Sequence, residues 1–92
     1  MECIEKILTD IEVGGIFDSH YVVSILIRDF SDDYLGISQN IKANGELTLR
    51  THQKIGHLIS SFEGKLVERQ PMQSWSLNIH GTSSSCALWK RI

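Results

Sequence analysis

The chain of 92 residues contains two cysteines, one proline and no long apolar run. Cys3 and Cys86 lie far apart, whereas a small secreted domain often carries a denser framework of disulfides. No stretch reaches the roughly 18 apolar residues of a membrane span. Charged residues interrupt every apolar run near the N-terminus, which argues against a signal peptide. We therefore expect a cytoplasmic protein with free thiols that does not enter a membrane.

Sequence motifs for catalysis and for metal binding are missing as well. Neither cysteine has a neighbouring cysteine, and His52 and His57 fall on nearly opposite sides of a helix, so no zinc site is expected. The Asn-Gly segment 43–46 lacks the glycines and the lysine of a phosphate-binding loop. Cys86 is interpreted as a small core residue, since pairing with a histidine would require tertiary proximity. The sequence thus predicts no catalytic residue, no metal, no cofactor and no enzymatic activity.

Charge is unevenly distributed along the chain. Residues 1–47 hold nine acidic and three basic residues, whereas residues 48–92 hold two acidic and six basic ones. The first segment therefore carries −6 and the second +4 of the net charge of −2. This asymmetry is informative about binding partners, although a small chain can also show it by chance. The length and the ordinary composition indicate one folded domain over residues 1–92.

The first part of the chain shows helical patterns. Apolar residues at helical spacing predict a first helix over about 2–13, which Gly14-Gly15 would end. Ile16-Phe17 allows only a very short strand. Asp18 or Ser19 is a suitable N-cap for a second helix over about 20–30. Ser31-Asp32-Asp33 would begin a short helical turn, and the polar segment 38–46 predicts a loop.

The second part begins with a helix and then changes its period. Residues 48–62 form the third predicted helix, with Gly64 after its end. A β-hairpin is predicted over about 65–92, in which Pro71 fits an edge or a bulge and Trp75, Leu77 and Ile79 share one face. Because isolated hairpins are marginally stable, we expect this face to pack on the helices. Trp75 and Trp89 are accordingly interpreted as packing anchors, with base stacking as the alternative.

This order of elements resembles the winged-helix variant of the helix-turn-helix domain. The resemblance spans nearly the whole chain and rests on element order and length, not on a sequence motif. It implies an α+β fold, a small winged-helix-like domain with three helices followed by a C-terminal β-hairpin. In that fold the third helix is the reader and the hairpin is the wing.

The third helix separates into two faces at about 100° per residue. Arg50, Lys54, His57 and Ser61 fall in one narrow stripe, with Gln53 beside it. The apolar residues Ile55, Leu58, Ile59 and Phe62 lie on the other side. His52 belongs to the edge of the apolar face, where we expect it to be partly buried and hydrogen-bonded. The stripe suits a DNA major groove and its phosphates, but a solvated helix face has the same appearance.

The hairpin offers a second set of candidate DNA contacts. These residues are His80, Ser83, Lys90 and Arg91. A wing with such residues can contact backbone phosphates, while ordinary loop chemistry is the alternative explanation of the Ser/Gly-rich tip.

We therefore expect a small protein that binds double-stranded DNA, with transcriptional regulation as its role. Six basic residues in the second segment make at best a weak monomeric binder, so tight recognition would need a homodimer or a protein partner. The alternative is a winged-helix-like module for protein–protein interaction, since one fold serves both uses.

Overall fold

The computed structural model describes residues 2–39, 47–77 and 83–92. Within these ranges the elements are α1 (Glu2–Asp10), β1 (Ile16–Asp18), α2 (Ser19–Asp29), α3 (Ser31–Gln39), α4 (Leu47–Ser60), β2 (Val67–Leu77) and β3 (Ser83–Arg91). The predicted α+β class is confirmed. The described residues contain four helices instead of three, and the very short strand β1 is present. None of the helices in these ranges has the length and apolar character that crossing a membrane requires.

The three strands of the described residues form one antiparallel sheet in the order β1-β3-β2. The last strand, β3, is therefore central, and it pairs Phe17 with Trp89 on one side and Arg69 with Trp89 on the other. The register shifts between Arg69 and Gln73, so β2 is irregular there. Pro71 lies in this segment of the edge strand, where its missing N–H costs no ladder hydrogen bond.

Helix α1 ends at Asp10, three residues before the predicted boundary. The reason is a tertiary contact: the N–H of Gly14 donates to the carbonyl of Arg91 (2.7 Å), and the N–H of Arg91 donates to the carbonyl of Gly15 (2.9 Å). Gly14 has a φ of 90°, a left-handed conformation that glycine adopts without strain. Pairing with the C-terminal strand thus draws this segment out of the helix.

Helix α2 runs through the centre of the core. Its N-cap is Asp18, whose carboxylate accepts the N–H of Tyr21 at 2.8 Å, as the sequence predicted for this position. Val22, Val23 and Leu26 are fully or almost fully buried. They pack in one apolar cluster with residues of α1, α4 and the sheet. Because β-branched residues at these positions are buried on a helix, tertiary packing outweighs their preference for strands.

Helix α3 replaces the short helical turn that the sequence predicted after Phe30. It has nine residues, with Asp32 and Asp33 in its first turn, where acids favour the helix dipole. Its Ser38 hydroxyl lies 3.1 Å from the hydroxyl of Thr51, a fully buried residue of α4. This contact packs α3 on α4. Residues 40–46, most of the predicted loop, lie outside the described residues.

The prediction that the apolar face of the hairpin packs on the helices is wrong for Trp75 and Leu77, but it is confirmed for Trp89. Trp75 is 72% exposed and Leu77 is 66% exposed, while Ile79 lies outside the described residues. Trp89 is only 1% exposed, and its indole N–H donates to the Ser19 hydroxyl at 3.1 Å. Of the two tryptophans, Trp89 alone anchors the hairpin to the core.

Candidate functional site

Helix α4 presents the polar stripe that the sequence predicted. Arg50, Gln53, Lys54 and His57 are exposed, and Ser61, just past the end of the helix, is exposed too. Ile55 and Ile59 are completely buried and Leu58 and Phe62 are half-buried, so one side of the helix faces the core. The hydroxyl of Ser61 donates to the carbonyl of Leu58 at 2.6 Å. The stripe is therefore accessible to a partner along its length.

The two histidines of α4 differ as their angles on the helix predicted. His57 is exposed, whereas His52 is half-buried with its Nε2 2.9 Å from the Tyr34 hydroxyl. The two rings are in a tilted contact, with centroids 5.9 Å apart. Burial raises the pKa of the Tyr34 hydroxyl, which keeps it protonated as a hydrogen-bonding group. His52 thus belongs to the packing of α3 against α4.

A groove of about 750 Å³ separates α4 from the hairpin and the start of α2. Gln53, His57 and Ser60 line it from α4, while Arg69 and Ser85 line it from the hairpin. Among the described residues that line the groove, there is no aspartate or glutamate. The lining offers an arginine, imidazoles and hydroxyls to an anionic ligand, while the nearby carboxylate of Asp18 lies within 4.8 Å of the side chains of His20 and Cys86.

Arg69 is a groove residue that the sequence did not single out. Its guanidinium carbon lies 5.9 Å from the centroid of the Trp89 ring, a distance at which a cation–π interaction holds the side chain against the sheet. Arg69 and Trp89 are direct cross-strand partners. That register depends on the irregular segment of β2, and no pattern in the sequence indicated it.

The hairpin residues predicted to contact DNA lie in different places. Ser83 is exposed at the start of β3. Lys90 is exposed opposite Glu68, on the other face of the sheet from its neighbour Trp89, which lines the groove. Arg91 is half-buried, and its guanidinium donates to the carbonyls of Leu8, Leu66 and Ile92. His80 lies outside the described residues.

Six side chains form a polar junction between the start of α2 and the outer half of the hairpin, which is the part beyond the register shift in β2. They are Asp18, His20, Ser74, Ser76, Ser84 and Cys86. The Ser74 hydroxyl donates to the Asp18 carboxylate at 2.9 Å. His20 lies between two hydroxyls, with Nδ1 2.6 Å from Ser76 and Nε2 3.3 Å from Ser84. The junction therefore ties the two strands of the hairpin to the helix.

The pKa of Asp18 is lowered by its place in the junction. Burial alone would raise the pKa of this carboxyl group, but hydrogen bonds from the N–H of Tyr21 and from the hydroxyls of Ser76 and Ser74 outweigh that effect, with the charge of His20 adding to them. Asp18 is therefore a carboxylate at neutral pH, and its two oxygens are already oriented.

Cys86 and His20 both line the groove, so a thiol and an imidazole share a concave site. A nucleophilic Cys–His pair depends on such tertiary proximity. Burial raises the pKa of the Cys86 thiol, and the charge of Asp18 adds to the rise, while backbone groups of His20 and Ser19 oppose it. The thiol is thus mainly protonated at neutral pH and is a weak nucleophile. Both cysteines are free, and Cys3 is buried in the core.

The junction was not recognised in the sequence because its members are distant along the chain. His20 and Ser76 are 56 residues apart, and Ser84 is 64 residues from His20. A suitable N-cap at Asp18 was the one local signal. Comparison with protein-family models, with curated proteins and with solved structures finds no match to this chain.

Proposed function

We propose that this protein is a winged-helix domain that binds double-stranded DNA without catalysing a reaction, as a transcriptional regulator does. Two observations support the fold. The elements follow the order α1-β1-α2-α3-α4-β2-β3, and the sheet has the order β1-β3-β2, which places β3 of the hairpin in the centre and β2 at the edge, in contact with α4. In this assignment α4 is the reading helix, the hairpin is the wing, and α3 is an additional helix before the reader.

The groove between α4 and the hairpin is the observation that carries the DNA proposal. On one side Gln53 and His57 of α4 line the groove, while Arg50 and Lys54 are exposed on the same helix outside the lining. The side chains of Arg50, Gln53 and Lys54 suit guanine, adenine and phosphate respectively. On the other side Arg69 lies on the Trp89 ring, and no described lining residue is acidic. We assign α4 to the major groove and the groove between α4 and the hairpin to the adjacent phosphate backbone.

DNA binding by this surface should depend steeply on salt, because neutralised phosphates release counterions. The test is fluorescence anisotropy of a labelled random duplex, measured at low and at moderate salt. The variant Arg50→Ala/Lys54→Ala should weaken binding by roughly tenfold or more and make the salt dependence shallower by about one to two phosphate contacts. No change in either quantity would refute the proposed interface.

The chain offers a matched control for this variant. Lys6→Ala/Arg28→Ala also removes one lysine and one arginine, but from exposed surface ion pairs with Asp10 and Asp29. Such pairs contribute little to stability, so this variant should fold normally. It carries the same net charge as the first variant, and its affinity for DNA should stay within about twofold of the wild type if local contacts dominate. Equal losses in both variants would mean that only net charge matters.

The exposed apolar residues of β2 favour a second candidate function, a protein-interaction module. Met72, Trp75 and Leu77 are each at least 66% exposed on one strand. Exposed apolar residues that are adjacent in a fold are typical of protein interfaces. Sedimentation over a range of protein concentrations tests whether the surface forms a homodimer. A dimer that Trp75→Ala/Leu77→Ser abolishes would support this function, and a monomer at all concentrations would argue against self-association.

A further inference from the structure

The side chains of Asp18, His20 and Cys86 converge in the polar junction. One potential ligand atom from each residue lies within 4.8 Å of the other two, and all three side chains are half-buried. Asp18 and His20 come from the β1–α2 boundary, while Cys86 comes from β3, so only the folded chain brings them together. We propose that these three residues bind one zinc ion.

The chemistry of the three ligands selects the metal. A thiolate, an imidazole and a carboxylate suit a borderline-soft divalent ion, whereas calcium and magnesium require oxygen ligands. Zinc bonds of about 2.0–2.3 Å in a tetrahedral arrangement place neighbouring ligand atoms about 3.5 Å apart. From separations of at most 4.8 Å, the ligand atoms need to approach one another by at most about 1.3 Å. Side-chain rotation within the junction supplies a movement of this size.

The surrounding hydrogen bonds are compatible with zinc binding. Asp18 keeps one oxygen as the N-cap of α2, with the N–H of Tyr21, and offers the other, which now accepts from Ser74. His20 contacts a serine hydroxyl at each ring nitrogen, so either nitrogen can bind zinc while the other keeps its serine partner. Such a partner orients a histidine ligand and raises metal affinity.

The groove gives the ion access and a fourth ligand. His20 and Cys86 line the cavity of about 750 Å³, so water enters the remaining coordination position from that side. Binding converts the Cys86 thiol to a thiolate, and the proton passes to solvent. A bound ion would connect α2 to the outer half of the hairpin, next to Ser74 and Ser76. This inference does not depend on DNA binding, since the polar stripe of α4 contributes no zinc ligand.

Cobalt(II) is the probe for the site, because a thiolate ligand produces a charge-transfer absorption band in the near ultraviolet. The full chain, kept reduced, should take up one equivalent of cobalt(II) with this band, and zinc should displace the cobalt. Cys86→Ser should abolish the band. Cys3→Ser is the matched control, because Cys3 is the second free cysteine and lies in the core, and the band should persist in it.

Three further variants separate ligation from general damage to the fold. His20→Asn should weaken cobalt binding by on the order of a hundredfold. Of the two variants Ser76→Ala and Ser84→Ala, the one that removes the partner of the ring nitrogen not bound to the metal should weaken it by roughly tenfold to a hundredfold. Circular dichroism without metal verifies that each variant folds, and zinc should raise the melting temperature of the wild type but not of Cys86→Ser. Absence of the band in the wild type would overturn the proposal, as would a band that survives in Cys86→Ser. An equal zinc-dependent rise in melting temperature in the Cys86→Ser variant would also overturn it.

Discussion

One face of the sheet is buried at one end and exposed to solvent at the other. We call the buried end, which contains Trp89, the base and the exposed end, which contains Trp75, the outer end. Cross-strand partners share a face, so the register places Trp89, Ala87 and Ser85 of β3 on the same face as Gln73 and Trp75 of β2. At the base Trp89 is 1% exposed, while at the outer end Trp75 is 72% exposed. Two residues of one type on one face thus have opposite environments.

An alternating pattern therefore identifies the two faces of a strand but not which of them other elements cover. Helices pack over the base of the sheet, where Phe17 and Val67 join Trp89 in the core. At the outer end the opposite face meets the start of α2 instead, through hydroxyl contacts of Ser74 and Ser76. Apolar burial therefore holds the base, and hydrogen bonds hold the outer half.

The greatest loss of stability is expected when the buried Trp89 side chain is removed from the base of the sheet. Trp89→Ala removes a fully buried indole and its hydrogen bond to Ser19, and should lower the free energy of unfolding by about 3–5 kcal/mol. Urea denaturation followed by circular dichroism measures this loss. A loss below about 1 kcal/mol would mean that the base is not held by apolar burial.

A smaller loss of stability is expected where the outer half of the hairpin meets the start of α2. Asp18→Ala removes the N-cap of α2 and the acceptor of the Ser74 hydroxyl, and should destabilise the fold by about 1–2 kcal/mol in the same denaturation experiment. Asp18→Asn is the control, because asparagine is also a good N-cap. It should recover most of the loss, and equal losses in both variants would contradict a capping role.

Low pH should weaken the hydrogen bonds that the Asp18 carboxylate accepts from Tyr21 and Ser74. The pKa of Asp18 is lower in the folded protein than its ordinary value of 3.8. Its charged form therefore contributes stability fully above that value, and the contribution disappears as the pH falls through the folded pKa. The difference in unfolding free energy between the wild type and Asp18→Asn should shrink between pH 7 and pH 3. A difference that does not change with pH would contradict the lowered pKa.

The smallest effect on stability is expected at the exposed outer end of the sheet. Trp75→Ala should change the free energy of unfolding by no more than about 0.5 kcal/mol, since the side chain is mostly in solvent. Urea denaturation at low protein concentration measures this change. Comparison with Trp89→Ala in the same experiment tests the same substitution at a buried and at an exposed position. A loss above about 1.5 kcal/mol at high concentration alone would indicate that a second chain covers this face.

Much of α4 was predictable from the sequence. The angle of each residue on a helix is local, so the buried Ile55 and Ile59, the exposed His57 and the half-buried His52 all agree with their positions on the wheel. The N-cap at Asp18 was predictable for the same reason. These features depend on residues within one or two turns of each other.

Other features depended on contacts between distant segments. Pairing of Gly14 and Gly15 with Arg91 ended α1 early, and that pairing joins the segment after α1 to the last strand. The same holds for Arg69 on the Trp89 ring and for the polar junction, in which Cys86 meets His20. The periodicity of apolar residues along a helix or strand does not predict these contacts, because each of them depends on how whole elements are placed relative to one another.

The sequence alone was enough to predict which residues share a face of a helix or strand, because backbone geometry sets those periods. It also determined the α+β class and the basic character of residues 48–92. Which faces are covered and which functional groups converge became visible in the folded protein. Burial is a property of neighbouring elements, so Trp75 and Trp89 differ although both alternate correctly on their strands.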